Sequence, residues 1–260
     1  MKIVIHLIQR CLEEIILALA PPPSFRMGLV SSYVKLFGPS SLNKGFFPWE
    51  EYAIKEFFPP PPARILVGAA GDGRELLVLS SRGYFLAGFE PLGVAVKCVQ
   101  KSVPKEKLLA FSKSTYEDLV KGKLKEIENL APYDAVILGW CSISHILEHN
   151  MRKMLIEKVR SLCPAGPILL SWVKAICPGP KTKIFRGILT RIGFKKVSDR
   201  DLYYSVRGFC HSFTRDEIFN LAESTKNSVV FYEDDKPHPQ GYPHAVLLPQ
   251  TQKLSNLPIS

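Results

Sequence analysis

Short apolar runs alternate with helix-length amphipathic segments along most of this chain. Ile65 to Val67 is an apolar run, the segment Arg74 to Arg82 has helical spacing of its leucines, and Tyr84 to Phe89 is a second apolar run. Continuous apolar runs of this kind are typical of parallel strands that are buried on both faces. Gly83 can end the intervening helix. The pattern therefore predicts a β-turn-α-β unit within an α/β fold.

The turn of this unit is built from small residues. Between the first strand and the helix the chain reads Gly68-Ala69-Ala70-Gly71-Asp72-Gly73. Small side chains let a backbone approach a ligand closely, and an acid at the tip of the second strand can bind both hydroxyls of a ribose. Glu90 stands at that tip and is followed by Pro91. The unit is thus predicted to bind a cofactor that carries adenosine.

A nicotinamide dinucleotide is the less favoured cofactor. The dinucleotide fingerprint Gly-x-Gly-x-x-Gly finds its first two glycines in Gly71 and Gly73, but Leu76 occupies the third position. That glycine normally allows close helix–strand packing beside the pyrophosphate. An α/β domain that merely has a glycine-rich first turn is the other alternative.

Further apolar runs continue the alternation towards the C-terminus. We predict strands within the ranges 108–111, 133–140, 167–172, 227–232 and 242–248. Thr214 is the predicted N-cap of a helix that precedes the last two of these strands, because Glu217 stands at the capping-box position.

Two blocks of this sequence resemble motifs of class I S-adenosylmethionine (SAM) methyltransferases. They are the stretch from Ala63 to Pro91 and the string YDAVILGWCSISHI with LCPAGPILLSW, and the resemblance covers about residues 45–250. Val67 replaces the usual motif acid and Ala69 the first glycine. The resemblance implies a Rossmann-like seven-stranded sheet, order 3-2-1-4-5-7-6 with strand 7 antiparallel, helices on both faces and an N-terminal helical cap. It also implies methyl transfer from SAM to a small-molecule acceptor, with S-adenosylhomocysteine as product.

The resemblance assigns roles to residues at the ends of the strands. Glu90 would hold the ribose, residues just past strand three would lie near the adenine, and residues after strand four would close the pocket floor. The implied cofactor-binding residues are Gly68, Ala69, Ala70, Gly71, Gly73, Glu90, Pro91, Ser114, Thr115, Tyr116, Gly139 and Trp140.

Two histidines are candidates for catalysis. His145 follows strand four and is either a base for the acceptor proton or a residue that bonds the backbone, and His211 is a candidate for the acceptor pocket. A base is needed only when the acceptor must lose a proton. The candidate substrate contacts are Trp49, Tyr52, Tyr204 and Arg207.

The domain organisation follows from prolines and from charge. Residues 1–60 are predicted to form a helical cap or lid, 61–250 the SAM-binding domain with a basic substrate insertion at about 173–213, and 251–260 a tail. The first twenty residues form an amphipathic helix whose apolar face is expected to dock on the domain or on a second subunit. A signal peptide and a membrane-surface helix are the alternatives. The aromatic residues at 46–52 either form a lid or pack against the sheet.

Composition restricts the partners further. The net charge of +10 leaves an anionic small molecule or RNA open. The sequence contains neither an RNA-binding aromatic motif nor an Asn-Pro-Pro-Tyr motif after strand four, which favours a small molecule. The six cysteines have no zinc-ligand spacing, so we expect reduced thiols in a cytoplasmic protein without a metal. An RNA methyltransferase and an inactive cofactor-binding protein remain the alternative functions.

Overall fold

The structure of the chain is a computed structural model. It describes residues 2–19, 45–176, 178–204, 208–234 and 242–250, and of residues 2–7 and Tyr204 it describes the backbone alone. In chain order the strands are β1 (Arg64–Gly68), β2 (Phe85–Glu90), β3 (Leu108–Lys113), β4 (Ala135–Leu138), β5 (Ile168–Ser171), β6 (Val173–Lys174), β7 (Asp201–Tyr204), β8 (Gly208–Phe213), β9 (Asn227–Glu233) and β10 (His244–Pro249).

The helices of the described residues surround these strands. They are α1 (Lys2–Leu19), α2 (Pro48–Phe57), α3 (Arg74–Ser81), α4 (Gly93–Ser102), α5 (Tyr116–Val120), α6 (Lys125–Glu128), α7 (His149–Leu162), α8 (Pro180–Arg191) and α9 (Arg215–Ser224), with a 3-10 helix at Ser142–His145. Proline at the first position of α2 and the Thr214–Glu217 capping box of α9 are both present, as the sequence predicts.

Seven strands form one sheet in the order β3-β2-β1-β4-β5-β10-β9. Strands β1 to β5 are parallel to one another, while β10 runs antiparallel to both β5 and β9. With β9 and β10 as the sixth and seventh strands, the predicted order and the predicted antiparallel strand are confirmed.

Each face of this sheet buries its own hydrophobic cluster. Leu66 and Val136 point to the side covered by α7 and α9, whereas Ile65 and Val67 point to the side of α2 and α3. Alternate residues of β1 are therefore buried on opposite faces, which is why this strand reads as a continuous apolar run. The core fixes the carboxyl ends of the parallel strands at one edge, where the site described below is found.

The segment predicted to be an insertion builds a small second sheet. Its three strands have the order β6-β8-β7, with β7 antiparallel and β6 parallel to β8. Helix α8 joins β6 to β7 and contacts α1 through an ion pair in which Arg186 is buried and Glu14 is half-buried. In that pair the Arg186 guanidinium donates to both oxygens of Glu14, at 2.7 and 3.2 Å.

Helix α1 packs against α8 and β7, so it docks on the domain, but with only part of the face that its periodicity predicts. In that face Ile15 and Ile16 are half-buried while Ile8, Leu12 and Leu19 are exposed, and the neighbouring Leu17 and Ala18 are buried. The Glu14–Arg186 pair turns the acidic side of the helix towards α8. A buried arginine without a carboxylate partner costs more free energy than a few aliphatic side chains left in solvent. This difference accounts for the orientation of the helix. Among the described helices, none combines the length and the hydropathy that a bilayer-spanning segment requires.

Candidate functional site

The loop after β1 lies at the carboxyl edge of the sheet and is fixed by neighbouring strands. The Ala70 amide donates to the Phe89 carbonyl of β2 at 3.1 Å, and the Gly139 amide donates to the Gly68 carbonyl at 2.8 Å. A Cβ atom at Gly139 would lie 2.3 Å from the Ala69 carbonyl oxygen, so only glycine allows this approach. Gly73 has a φ of +93°, the left-handed conformation that glycine adopts without strain. The loop after β1 is therefore in direct contact with Gly139 at the end of β4.

Glu90 is directed from the tip of β2 into this loop. Its two carboxylate oxygens accept hydrogen bonds from the Gly71 amide at 2.9 Å and the Leu92 amide at 3.0 Å. The side chain is buried, and this desolvation raises its pKa to about 7 even though the two amides act in the opposite direction. Pro91 follows it and leads into α4. The acid and the glycine-rich loop therefore line the same site.

A buried ion cluster lies beside the loop at the start of α3. The Arg74 guanidinium donates to both oxygens of Glu50 on α2, at 2.7 and 2.6 Å, and to Glu75 at 2.7 Å. It also donates to the Gly45 carbonyl and stacks on the Phe47 ring, 4.3 Å from its centroid. Arginine makes bidentate contacts of this kind because its planar fork matches a carboxylate.

This cluster contains more acids than bases. Glu50, Asp72, Glu75 and Glu90 are all buried near the loop together with one guanidinium, that of Arg74. Burial raises the pKa of Glu50 to about 7, and the charge of Glu75 adds to this effect. The nearby acids Asp72 and Glu75 also raise the pKa of Glu90. The site is consequently suited to a ligand that brings positive charge.

The residues after β3 are held by hydrogen bonds of their own. The Ser114 amide donates to the Glu90 carbonyl at 3.2 Å, and the Thr115 hydroxyl accepts from the Asp118 amide as the N-cap of α5. Tyr116 is buried, with its hydroxyl 3.2 Å from the Gly68 carbonyl oxygen and 2.5 Å from the Ser142 hydroxyl oxygen. Burial raises the Tyr116 pKa, so this phenol is neutral and connects β1 with the segment after β4.

Aromatic residues surround the end of β4. Trp140 is 47% exposed and contacts Phe47 at a ring-centroid distance of 5.4 Å and Tyr242 at 5.1 Å. Trp49 stacks on His244, with centroids 4.6 Å apart, whereas Tyr52 contacts Phe231 on the outermost strand β9. The structure therefore brings Trp140 close to the 45–50 segment and places Tyr52 farther out along the sheet.

His145 lies in the 3-10 helix after β4, between the main sheet and the insertion. Its Nδ1 atom is 2.8 Å from the Phe209 carbonyl oxygen and 3.8 Å from the Cys210 sulfur. A carbonyl oxygen accepts only, so Nδ1 carries the proton in this arrangement and Nε2 is the nitrogen with a lone pair. The backbone bond that the sequence left as one alternative is thus present.

His211 is buried in β8 between two acids. Its Nδ1 lies 2.7 Å from Asp201 Oδ1 and its Nε2 lies 3.2 Å from Glu217 Oε1. The hydrogen bonds to these carboxylates raise the His211 pKa against the effect of burial, and Glu217 has its pKa lowered to about 2. Both ring nitrogens are engaged, which leaves none for a methyl acceptor in this arrangement.

Two further candidates cannot be located in detail. Arg207 lies outside the described residues, and Tyr204 is described only as the last backbone position of β7.

Sequence reasoning missed Glu50 and Arg74, although the string Gly-Arg-Glu at 73–75 was part of the family resemblance. The pairing of Glu50 with Arg74 has no signal in sequence spacing, because the two residues are 24 positions apart. Within the described part of the chain, no group of acidic, histidine or cysteine side chains could hold a metal.

Comparison by sequence gives no match to a family model and none to the curated proteins. Comparison by structure does. A 1,6-didemethyltoxoflavin-N1-methyltransferase from Burkholderia thailandensis, solved with S-adenosylhomocysteine, aligns over 86% of this chain and 85% of its own, with 15% identity and a TM-score of 0.56. A TehB-like SAM-dependent methyltransferase from Corynebacterium glutamicum aligns over 88% of this chain and all of its own, with 13% identity and a TM-score of 0.52.

A third similar structure is an amino pentose methyltransferase from Micromonospora echinaspora with SAM bound. It covers 76% of this chain and 87% of its own, with 12% identity and a TM-score of 0.51. Together with the strand order, these similarities define the class: the chain has the fold of the class I SAM-dependent methyltransferases.

Proposed function

We propose that this protein is a SAM-dependent methyltransferase that acts on a small molecule. The observation that carries the proposal is the contact between Glu90 and the Gly71 amide at the carboxyl edge of the sheet. This contact brings Glu90, which we propose binds the ribose, and the glycine-rich loop together at the edge where open α/β sheets bind their ligands. Each Glu90 oxygen keeps a second lone pair, which can accept from a ribose hydroxyl.

The electrostatics of the site support SAM in particular. SAM carries a sulfonium and an ammonium group against one carboxylate, whereas a nicotinamide dinucleotide brings a pyrophosphate. Glu50 and Glu90 have pKa values raised to about 7, so a cationic ligand favours their ionised forms and is attracted, whereas a pyrophosphate opposes ionisation and is repelled. Leu76 is fully buried, where the dinucleotide fingerprint requires glycine.

The chemistry then requires mainly alignment. The sulfonium activates its own methyl group, so the protein must hold the acceptor atom in line with carbon and sulfur and exclude water. We propose that Gly68 to Gly73 position the methionine part and Glu90 the ribose. His145 accepts a proton through Nε2 only if the acceptor must lose one, because its Nδ1 is held by the Phe209 carbonyl.

The family resemblance assigned Trp140 to the floor of the cofactor pocket, but because this indole is half-exposed we propose instead that it lies on the acceptor side. This indole is half-exposed at the end of β4 and contacts Phe47 and Tyr242, so aromatic surface faces the edge at which the methyl group would be presented. The three structural neighbours named above include enzymes for a toxoflavin precursor and an amino pentose. We infer a small-molecule acceptor for this chain as well.

Calorimetric titration with S-adenosylhomocysteine and with NAD tests the cofactor. We expect binding of the first only. Charge-assisted hydrogen bonds contribute about 1.5–3 kcal/mol, so Glu90→Ala should weaken S-adenosylhomocysteine binding roughly ten- to a hundredfold. Glu126→Ala, at an exposed position on α6, is the matched control and should leave the affinity unchanged. Wild-type affinity in Glu90→Ala would remove the assignment of this residue.

Activity needs a separate measurement. Turnover of SAM should be followed against a panel of small metabolites, with Trp140→Ala compared with wild type. We expect Trp140→Ala to raise the KM for the acceptor while the affinity for S-adenosylhomocysteine stays within about twofold, because the indole is on the acceptor side. Cofactor binding without turnover of any acceptor would instead favour a cofactor-binding protein.

A further inference from the structure

Two ring nitrogens in the contact between α2 and β10 are buried without a hydrogen-bond partner among the described residues. They are Nε1 of Trp49 and Nε2 of His244, and they account for two of the three side-chain atoms in the described structure that have this property. The carboxylate of Glu233 lies 3.9 Å from His244 Nε2, which is too far for a hydrogen bond. Buried polar groups are nearly always paired, so two unpaired ones in a single contact indicate a function beyond packing.

The two nitrogens have opposite hydrogen-bonding roles. His244 Nδ1 lies 2.8 Å from the Tyr242 carbonyl oxygen, and because a carbonyl oxygen only accepts, Nδ1 carries the proton. Burial lowers the pKa of His244, so its ring is neutral and Nε2 presents a lone pair. An indole nitrogen only donates. The contact therefore offers one donor, from Trp49, and one acceptor, from His244.

The two rings touch each other, so one small molecule is large enough to reach both nitrogens. Their centroids are 4.6 Å apart and their planes are inclined by 33°. His244 is 2% exposed, whereas Trp49 is half-buried, so Trp49 is the ring that can turn aside to admit a ligand. Rotations of single side chains are common when a partner binds, and this one leaves the backbone of α2 in place.

The contact lies at the carboxyl end of β5, next to the aromatic surface proposed for the acceptor. His244 is the first residue of β10 and pairs with Ser171, the last residue of β5. Tyr242, whose carbonyl oxygen accepts from His244, has its own ring 5.1 Å from that of Trp140. Tyr242 thus connects the two unpaired nitrogens with the aromatic surface at the end of β4.

We propose that Trp49 and His244 bind the methyl acceptor and select a planar ring compound whose edge carries a hydrogen-bond acceptor beside a donor, as in a lactam. The lactam oxygen accepts from the Trp49 indole, and the lactam N–H donates to His244 Nε2. Aromatic side chains nearby suit the flat faces of such a compound. This subsite rests on the proposed methyltransferase function and adds the chemistry of its acceptor.

Nuclear magnetic resonance of the full chain, with and without S-adenosylhomocysteine, tests this subsite. The probes are 2-quinolone, which presents C=O beside N–H, and N-methyl-2-quinolone, which keeps the carbonyl and lacks the donor. We expect 2-quinolone to move the Trp49 indole proton downfield and the His244 Nε2 resonance upfield. It should bind roughly tenfold more tightly than N-methyl-2-quinolone, because the methylated compound leaves Nε2 unpaired.

Variants assign the effect to the two nitrogens. His244→Phe keeps a ring in the contact without Nε2, so it should weaken 2-quinolone roughly tenfold and leave N-methyl-2-quinolone within about twofold. Trp49→Phe removes the indole donor and should weaken both compounds, since both carry the carbonyl. Phe231→Leu is the matched control, because the Phe231 ring lies 5.5 Å from that of His244 and has no hydrogen-bonding group. It should leave the affinity ratio of the two compounds unchanged.

Four results overturn this subsite. They are a Trp49 resonance that does not respond to 2-quinolone, equal affinity for the two quinolones, tighter binding of 1-naphthol than of 2-quinolone, and a Trp49 indole proton that already has the shift of a strong hydrogen bond before any probe is added. The third would mean that a single hydroxyl pairs both nitrogens, and the fourth that water or the chain itself does. Failure of S-adenosylhomocysteine to bind contradicts the proposed function, whereas bound S-adenosylhomocysteine without a Trp49 response contradicts the subsite alone.

Discussion

At the scale of single residues, His211 connects the insertion to the main domain. It lies in β8, and its carboxylate partners are Asp201 of β7 and Glu217 of α9. Hydrogen bonds to charged groups contribute about 1.5–3 kcal/mol. We expect His211→Gln to lower the free energy of unfolding by an amount in this range below about pH 6.5, measured by urea denaturation.

The pH dependence of that loss distinguishes a charged histidine from a neutral one. The folded His211 pKa is raised above the ordinary histidine value of 6.5, so its stabilising effect is complete below that pH and disappears as pH rises through the folded value. The difference between wild type and His211→Gln should therefore shrink as the pH rises above 6.5. Removal of the exposed His149 should give no such difference. A difference that does not shrink with rising pH would contradict a raised His211 pKa in the fold.

At the scale of elements, two ion pairs connect α2 with α3, one buried and one exposed. Arg74 pairs with Glu50 in the interior, while Arg82 pairs with Glu51 at 2.6 Å near solvent. Breaking a buried pair leaves a charge without compensation and costs roughly 3–5 kcal/mol, whereas exposed pairs contribute about 0–1 kcal/mol. We expect Arg74→Met to destabilise the protein by several times more than Arg82→Met in denaturant unfolding.

The size of the Arg74→Met effect should also depend on pH. Without the guanidinium, Glu50 can become neutral by binding a proton, and its pKa is already raised to about 7 with Arg74 present. The destabilisation should thus be larger at about pH 8 than at about pH 5. Equal effects of Arg74→Met and Arg82→Met would show that the buried ion cluster is solvated and does not hold α2 against α3 and the loop after β1.

At the scale of the whole molecule, the buried acids make the ligand-free protein most stable at mildly acidic pH. Glu50 and Glu90 both have folded pKa values of about 7, above the ordinary glutamate value of 4.5. Between these values the unfolded chain ionises while the folded one keeps its protons. Unfolding is therefore favoured as pH rises from 4.5 to 7, by on the order of 1–3 kcal/mol for each group.

Thermal unfolding across this pH range measures the effect. We expect the melting temperature of the wild type to fall from about pH 5 to pH 7.5, and the fall to be smaller in the Glu50→Gln, Glu90→Gln double variant. Glu117→Gln and Glu126→Gln, on α5 and α6, form the control pair. A wild-type melting temperature that rises with pH over this range would contradict the assigned burial of the two acids.

Much of the fold was determined by the sequence itself. The runs at Ile65–Val67 and Tyr84–Phe89 predicted β1 and β2, and the Thr214–Glu217 capping box predicted the start of α9. The glycine-rich turn and the position of Glu90 at the end of β2 could be predicted because hydrophobic period and turn chemistry are local properties of a chain. The order of the seven strands is not a local property; it was predicted from the resemblance to class I methyltransferases, and the structure confirms it.

The tertiary structure decided which distant charges meet. Glu50 with Arg74, Glu14 with Arg186, and His211 with its two acids are contacts between separate elements, and no local pattern encodes them. The same holds for α1, which docks on the domain with only part of the face that its periodicity predicts. Periodicity shows that a helix is amphipathic but not which neighbour competes for its polar side. Burial of an arginine demands a carboxylate partner, and that demand arises only when the chain is folded.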